Sequence, residues 1–260
     1  MNERRVEQVK YLRANVPQVK ELYVVLLNDI HYGSNALDWG LHKRVFDFID
    51  RNKENTRILI NGDLFHNITK NSKGSLYEQK ITPQEQFDMA IEYFKPYADL
   101  IEGVTVGNHD WRTEDETSID LMLMFCRMLG IEDKYLQYRG VVGFSLNKNH
   151  YTVEMYHGTG GGSTLAAVER NMKKMRRTTA DVFYCGHWHK EFVKPFKEYQ
   201  IDPYNKKVHE YKKFYVCGNT MVQLEKYAEK FAYDESYPSQ AVLRLSGVPK
   251  KRNIEVEWIR

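Results

Sequence analysis

The sequence predicts an α/β fold, a sandwich of two β-sheets with helices on the outside. Apolar runs of strand length alternate with helical patterns from residue 22 to residue 185, the signature of sheets covered by helices. After residue 190 the alternation gives way to β segments separated by turn signals. No linker rich in Pro, Gly or Ser divides the 260 residues, so residues 1–260 read as a single domain, large enough to bury a core without disulfides.

In chain order, Val6, Val9, Leu12 and Val16 recur at helical spacing and predict an N-terminal helix within residues 1–20. Leu22–Leu27 is a strong strand, 39–52 a helix and Arg57–Ile60 a short strand. Residues 83–100 are helical, with Phe87, Ile91 and Leu100 inward. Val104–Val106 is a strand, Ile119–Leu129 a helix rich in Leu and Met, and Thr152–Tyr156 a strand. Leu165–Arg177 is a helix and Val182–Cys185 a strand. The remaining β segments are Phe192–Phe196, Val208–Tyr211, Phe214–Cys217, Ala241–Leu245 and Ile254–Trp258, expected to complete the second sheet. Asp202-Pro203-Tyr204-Asn205 reads as a hairpin tip.

Hydrophobic residues make up 42% of the chain and charged residues 28%, which excludes disorder, collagen and low-complexity classes. No run approaches the roughly 20 apolar residues of a membrane span. Met-Asn-Glu-Arg-Arg leads into a polar pattern with no apolar stretch of signal-peptide type, so a cytoplasmic location is expected. Cys126, Cys185 and Cys217 are odd in number and widely spaced, as buried thiols in a reducing compartment would be. Net charge is +3, but residues 1–150 carry 19 Lys/Arg against 22 Asp/Glu and residues 151–260 carry 19 against 13. Arg170, Lys173, Lys174, Arg176 and Arg177 form a patch that suits a polyanion or simply a solvated helix face.

Polar residues cluster directly after apolar strands at five places: Asp29-Ile30-His31, Gly62-Asp63 with His66 beyond, Gly107-Asn108-His109-Asp110, His157-Gly158, and Gly186-His187-Trp188-His189. Six of the nine histidines fall in these five places. With one residue between them, Asp29 and His31 are expected on the same side of an extended chain. Strand ends in α/β sheets converge on one crevice. A lone strand-end histidine is more often structural, but five such clusters in one chain argue for a shared site. Carboxylates, imidazoles and one amide without a thiolate suit manganese, iron or zinc.

This ordered set closely resembles the calcineurin-like metallophosphoesterases, over a stretch from residue 29 to residue 189. The resemblance implies a sandwich of two mixed β-sheets flanked by helices and two divalent metal ions, with manganese the first choice and iron or zinc next. One ion would be held by Asp29, His31 and His189 and the other by Asn108, His157 and His187, with Asp63 bridging them. It implies a phosphodiester hydrolase in which a hydroxide bridging the metals attacks phosphorus in line. His109 would stabilise or protonate the leaving oxygen, and Asp110 would orient its surroundings.

The Gly62-Asp63-Leu64-Phe65-His66-Asn67 string lacks the acidic residue that the family's protein phosphatases carry three positions after the bridging Asp. It looks instead like the double-strand-break repair nucleases, which implies a substrate-handling role for His66 beside His109 and, by analogy, an ATPase partner or a homodimer. The run Gly160-Gly161-Gly162 ahead of a predicted helix suits a second phosphate or a plain mouth loop, and Arg112 is a similar candidate for phosphate contact. The expected activity is therefore that of a metal-dependent nuclease, on DNA before RNA. The alternatives are a phosphodiesterase of small or cyclic nucleotides and, from another class, a non-catalytic metal-binding scaffold.

Overall fold

The computed structural model describes residues 9–72, 79–223 and 237–260. Five strands form one sheet: β2 (Glu21–Leu27), β3 (Thr56–Asn61), β4 (Ile101–Thr105), β10 (Gln240–Ser246) and β11 (Ile254–Ile259), in the order β11-β10-β2-β3-β4. Here β2, β3 and β4 run parallel, and β10 pairs antiparallel with both β2 and β11. Six strands form the other: β1 (Lys10–Arg13), β5 (Arg139–Leu146), β6 (Asn149–Tyr156), β7 (Val182–Cys185), β8 (Glu191–Asp202) and β9 (Lys207–Gly218), in the order β1-β5-β6-β7-β9-β8.

Residue alternation within β2 shows how the layers are specified. Leu22, Val24 and Leu26 join the core between the sheets, with Val142, Phe144, Val153, Met155, Tyr184 and Val216 of the six-stranded sheet. Val25 and Leu27 belong instead to the outer core. That core is covered by α1 (Trp39–Arg51), α2 (Pro83–Phe94) and α4 (Leu121–Met128) through Leu41, Val45, Phe87, Ala90, Met122 and Phe125. On the opposite outer face α5 (Leu165–Met175) buries Val168 and Met172 against Phe183, Cys185 and Tyr215. Four of the helices start where oxygen-bearing caps stand. Asp38 accepts from Leu41 N, Asp120 from Leu123 N and Thr164 from Ala167 N, and Thr82 with Glu85 closes a capping box ahead of Pro83.

The structure corrects several expectations. Of the helix expected within residues 1–20, residues 1–8 lie outside the described residues. Lys10–Arg13 is a strand, parallel to β5 in the register Lys10↔Gly140 to Arg13↔Gly143. The apolar residues there serve a period of two, Leu12, Ala14 and Val16 all packing into the inter-sheet core. Strand β5 escapes a sequence reading because Gly140 and Gly143 interrupt its apolar pattern. Gly143 leaves room for the Tyr11 ring, which crosses it where a Cβ would stand. Helix 83–100 stops as an α-helix at Phe94 and continues as a 3₁₀ segment from Lys95 to Leu100, which contains Pro96. Val208–Tyr211 and Phe214–Cys217 are one strand, β9, and the hairpin tip falls where expected, between β8 and β9. The trailing β segments do not all complete the second sheet: β8 and β9 join it, whereas β10 and β11 extend the first.

Candidate metal centre

The parallel strands β2 and β3 continue to be tied together past their ends. Asp29 N donates to Gly62 O, His31 N to Asp63 O and Tyr32 N to Leu64 O, at 2.9–3.1 Å. These bonds hold Asp29, His31 and Asp63 in one place at the carboxyl ends of the strands. Asp29 and His31 do not lie on an extended chain as expected. Their φ values are 49° and 55°, and Asp63, His187 and His189 are also left-handed at 49°, 70° and 50°. Such backbone is uncommon away from glycine and clusters at functional sites; the turn aims both side chains of each pair at the centre.

The third motif opens α3 (Asn108–Thr117). Gly107, which precedes it, has no room for a side chain, because a Cβ would overlap the Asp63 carboxylate. The amide of His109 then donates to Asp63 Oδ1 at 2.8 Å. Asp110 points away from the centre: its buried carboxylate accepts from Phe65 N at 3.1 Å and Gly107 N at 3.0 Å, stapling the second motif to the third. Burial, and then the neighbouring Asp63 charge, push Asp110 up to about 7. The remaining ligand candidates come from the six-stranded sheet, with Gly186 N donating to His157 O and His187 N to Asp29 Oδ2.

The side chains so placed form three groups whose ligand atoms lie within 4.8 Å of one another: Asp29, His31 and His189; Asp63, His157 and His187; and His31, His66 and His109. Asn108 joins the second group, its Oδ1 2.7 Å from His187 Nδ1. Asp63 Oδ2 lies 3.2 Å from His157 Nε2 and 3.9 Å from His31 Nε2, between the first two groups. Asp29 Oδ1 faces His189 Nε2 at 3.1 Å, His31 Nε2 at 3.8 Å and His157 Nε2 at 4.0 Å.

The donor set fits divalent cations on chemical grounds. His157 Nδ1 must donate to the carbonyl of Asn61, 2.7 Å away, which leaves the buried Nε2 turned toward two carboxylates with no hydrogen-bond partner. His187 has an oxygen at each ring nitrogen, Gly160 O 3.1 Å from Nε2 and Asn108 Oδ1 2.7 Å from Nδ1, and a neutral imidazole donates to only one of them. Such electron-rich pairs need a proton or a cation between them. The electrostatics agree. Although burial opposes it, Asp63 and Asp29 raise the His157 imidazole to about 10. Despite the same burial penalty, His157 and His109 hold Asp63 well below the ordinary carboxylate range, and His157 and His189 do the same for Asp29.

His66, His109 and Arg112 lie together beside this centre. His109 Nδ1 donates to His66 O at 2.8 Å, and Arg112 Nη2 donates to His109 Nε2 at 3.0 Å. Arg112 Nη1 also reaches His66 O at 3.1 Å. Burial, with His31 and Arg112 adding to it, keeps His109 well below its usual value and therefore neutral. The glycine run is placed by its carbonyls: Gly160 O accepts from Trp188 Nε1 at 3.0 Å and lies 3.1 Å from His187 Nε2, and Gly161 O accepts from Asn171 Nδ2 at 2.8 Å. In the basic patch, Lys173 pairs with Glu169 and Arg176 with Glu198, so two of its five charges are engaged.

Sequence reasoning passes over the polar residues beneath the centre. Asn28, fully buried, donates from Nδ2 to Asp29 Oδ2 and accepts from Tyr184 OH at 2.7 Å. Thr220 Oγ1 donates to Asp29 O at 2.9 Å, and Asn67 Nδ2 to His109 O at 2.8 Å. Asn28 has a signal, standing at the end of an apolar strand immediately before Asp29. Thr220 has none, since 191 residues separate it from its partner.

No protein-family model matches the sequence, and no curated protein matches it. Solved structures do resemble the chain. Vps29 from Entamoeba histolytica, solved with zinc, is 13% identical at a TM-score of 0.38, over 92% of this chain and 100% of its own. The NAD nucleotidase NadN from Haemophilus influenzae is 12% identical at a TM-score of 0.45, over 90% of this chain and 49% of its own. The calcineurin-like phosphoesterase YfkN from Bacillus subtilis is 12% identical at a TM-score of 0.38, over 94% of this chain and 91% of its own. Among the described residues no helix is long and apolar enough to cross a membrane.

Proposed function

We propose that this chain is a calcineurin-like metallophosphoesterase that hydrolyses phosphodiesters, with DNA as its foremost substrate. The observation that carries the reading is that Asp63 Oδ2, within its own triad 3.2 Å from His157 Nε2, also lies 3.9 Å from His31 Nε2 of the other triad. Asp29, His31 and His189 would hold one divalent ion, Asn108, His157 and His187 the other, and Asp63 would contact both. Bound in this way, the ions would supply neutralisation of phosphoryl charge and activation of water.

The protein's own contribution is orientation. The carbonyl of Asn61 fixes the tautomer of His157, so that its Nε2 turns inward, and a cation held at His187 Nδ1 would leave Nε2 to donate to Gly160 O. Arg112 and His109 form a hydrogen-bonded pair at the rim, with His66 packed against them at 5.7 Å between ring centroids. This pair is placed to neutralise charge on a leaving oxygen or a non-bridging phosphate oxygen. As both imidazole nitrogens are engaged, His109 takes up or releases a proton at Nε2 only when Arg112 shifts. Asp110 is a positioning residue.

The test is hydrolysis of end-labelled DNA and of bis(p-nitrophenyl) phosphate with added manganese, beside Asp63→Asn, His109→Ala and chelator controls. Cleavage that requires metal, Asp63 and His109 supports the reading. Full activity in Asp63→Asn, or in chelator, would sink it. Hydrolysis of the small diester alone moves the substrate to small nucleotides.

A further inference from the structure

Directly after His66 stands Asn67, fully buried and held in the left-handed region at φ 45°. Its side chain reaches the first turn of α3, where Nδ2 donates to His109 O at 2.8 Å and lies 3.0 Å from Thr113 Oγ1. Its carbonyl and that of His66 accept from Arg112 Nη1 at 3.4 and 3.1 Å. One residue therefore grips the main chain of His109 and the guanidinium of Arg112, the two groups that meet at His109 Nε2. Asn67 is itself fixed from α2. Its N–H donates to Oε1 of the fully buried Gln86 at 2.9 Å, and Gln86 Nε2 donates to Gln79 Oε1 at 2.8 Å and to Ile81 O at 3.0 Å. The same Gln86 side chain fills the space over Gly33, two residues past His31, where a Cβ would overlap it.

An asparagine meets two demands at this position. It tolerates left-handed backbone better than most residues, and its amide supplies the N–H that the His109 carbonyl accepts. Glycine and aspartate meet the first demand and fail the second, since neither has a side-chain N–H to give. Resting on the phosphodiesterase reading above, we infer that Asn67 is a positioning residue: through the His109 carbonyl and the Arg112 guanidinium it sets where the His109–Arg112 pair meets the leaving oxygen. Gln86 is the brace that keeps Asn67 in place. The first turn of α3 also touches a ligand candidate, through the His109 N–H on Asp63 Oδ1, so metal affinity is the control. A misplaced pair alters the response to the leaving group, whereas a disturbed Asp63 alters the Kd for metal.

The test is a series of methyl aryl phosphodiesters whose leaving phenols run from strongly to weakly acidic, hydrolysed with manganese by wild type, Asn67→Gly and Asn67→Asp. The slope of log kcat/KM against the acidity of the phenol is read beside the manganese Kd. Both variants should lose about 10–100-fold on the least acidic phenols, as expected for a displaced catalytic group, and much less on p-nitrophenol. The slope steepens toward that of His109→Ala while the manganese Kd stays near the wild-type value. Should Asn67→Gly fail to fold, Asn67→Asp and Gln86→Met, which removes the acceptor for Asn67 N, read the same slope. An equal loss across the whole series overturns the inference, as does a wild-type slope in the variants, whether or not the Kd changes. Imidazole ¹⁵N shifts of His109 in metal-free protein, assigned with His109→Ala, separate the two readings. A wild type that hydrolyses no diester, with the His109 shifts moved in Asn67→Gly, loses the phosphodiesterase reading and keeps the placement of the pair by Asn67. Unmoved shifts overturn that placement.

Discussion

Asn28→Ala should weaken metal binding without touching a ligand. The Asn28 side chain fixes Asp29 Oδ2 together with His187 N, which leaves Oδ1 as the oxygen that faces His31, His189 and His157. Without the amide, the carboxylate loses one of two donors and gains rotational freedom. Residues that orient ligands in this way are worth about 10–100-fold in metal affinity. The variant also leaves the buried Tyr184 hydroxyl without its acceptor, which costs about 1–3 kcal/mol of fold stability. Isothermal titration with manganese would read the first effect and thermal unfolding in chelator the second. Tyr184→Phe removes the hydroxyl alone, and should lower Tm modestly while changing affinity less than Asn28→Ala does. An Asn28→Ala protein with wild-type affinity, stoichiometry and metal-free Tm would refute the coupling between this network and the centre.

Asp63→Asn should lower manganese stoichiometry as well as affinity, since one oxygen faces both triads; elemental analysis after dialysis checks this. Metal-free protein should lose stability as pH rises. His157 is raised to about 10 in the fold from an ordinary value near 6.5, so its contribution is complete below about 6.5 and is lost as pH climbs through 10. By the same pairing, metal uptake between about pH 7 and 9 should release close to one proton per chain, measured by titration in two buffers of different ionisation heat. Gly107→Ala should abolish hydrolysis and lower Tm, because the new methyl meets the Asp63 carboxylate and its backbone; normal activity in that variant would contradict the packing described.

The layered fold was legible wherever one period dominated. Strand β2, with different cores on its two faces, reads as strand in sequence, and the oxygen-capped helices α1, α2 and α4 are recognisable. The N-terminal segment was not, because Val9, Leu12 and Val16 fit a helical period as well as the alternation that Leu12, Ala14 and Val16 satisfy once β5 is beside them. Long-range pairing decided there, as it did in assigning β10 to β2. At the centre, the residue types after each strand gave away the ligand candidates, and the convergence of strand ends gave their common location. Their backbone did not follow: the left-handed turns at Asp29, His31, His187 and His189 are imposed on non-glycine residues by bonds to distant loops. For the same reason the role of Asp110 as a staple, and the support from Asn28 and Thr220, appear only once the loops are side by side.

The two triads draw their members from widely separated parts of the chain. Asp29 and His31 meet His189, and Asp63 meets His157 and His187. During synthesis, therefore, neither triad exists until residue 187 has left the ribosome and the two sheets have closed on each other. A nascent chain short of residue 187 offers neither triad complete, only Asp29, His31 and Asp63 without their partners from the six-stranded sheet. On the proposed reading, metal acquisition would be a late event that reports finished tertiary assembly, and ions seated in the two triads would act as rivets between the two sheets.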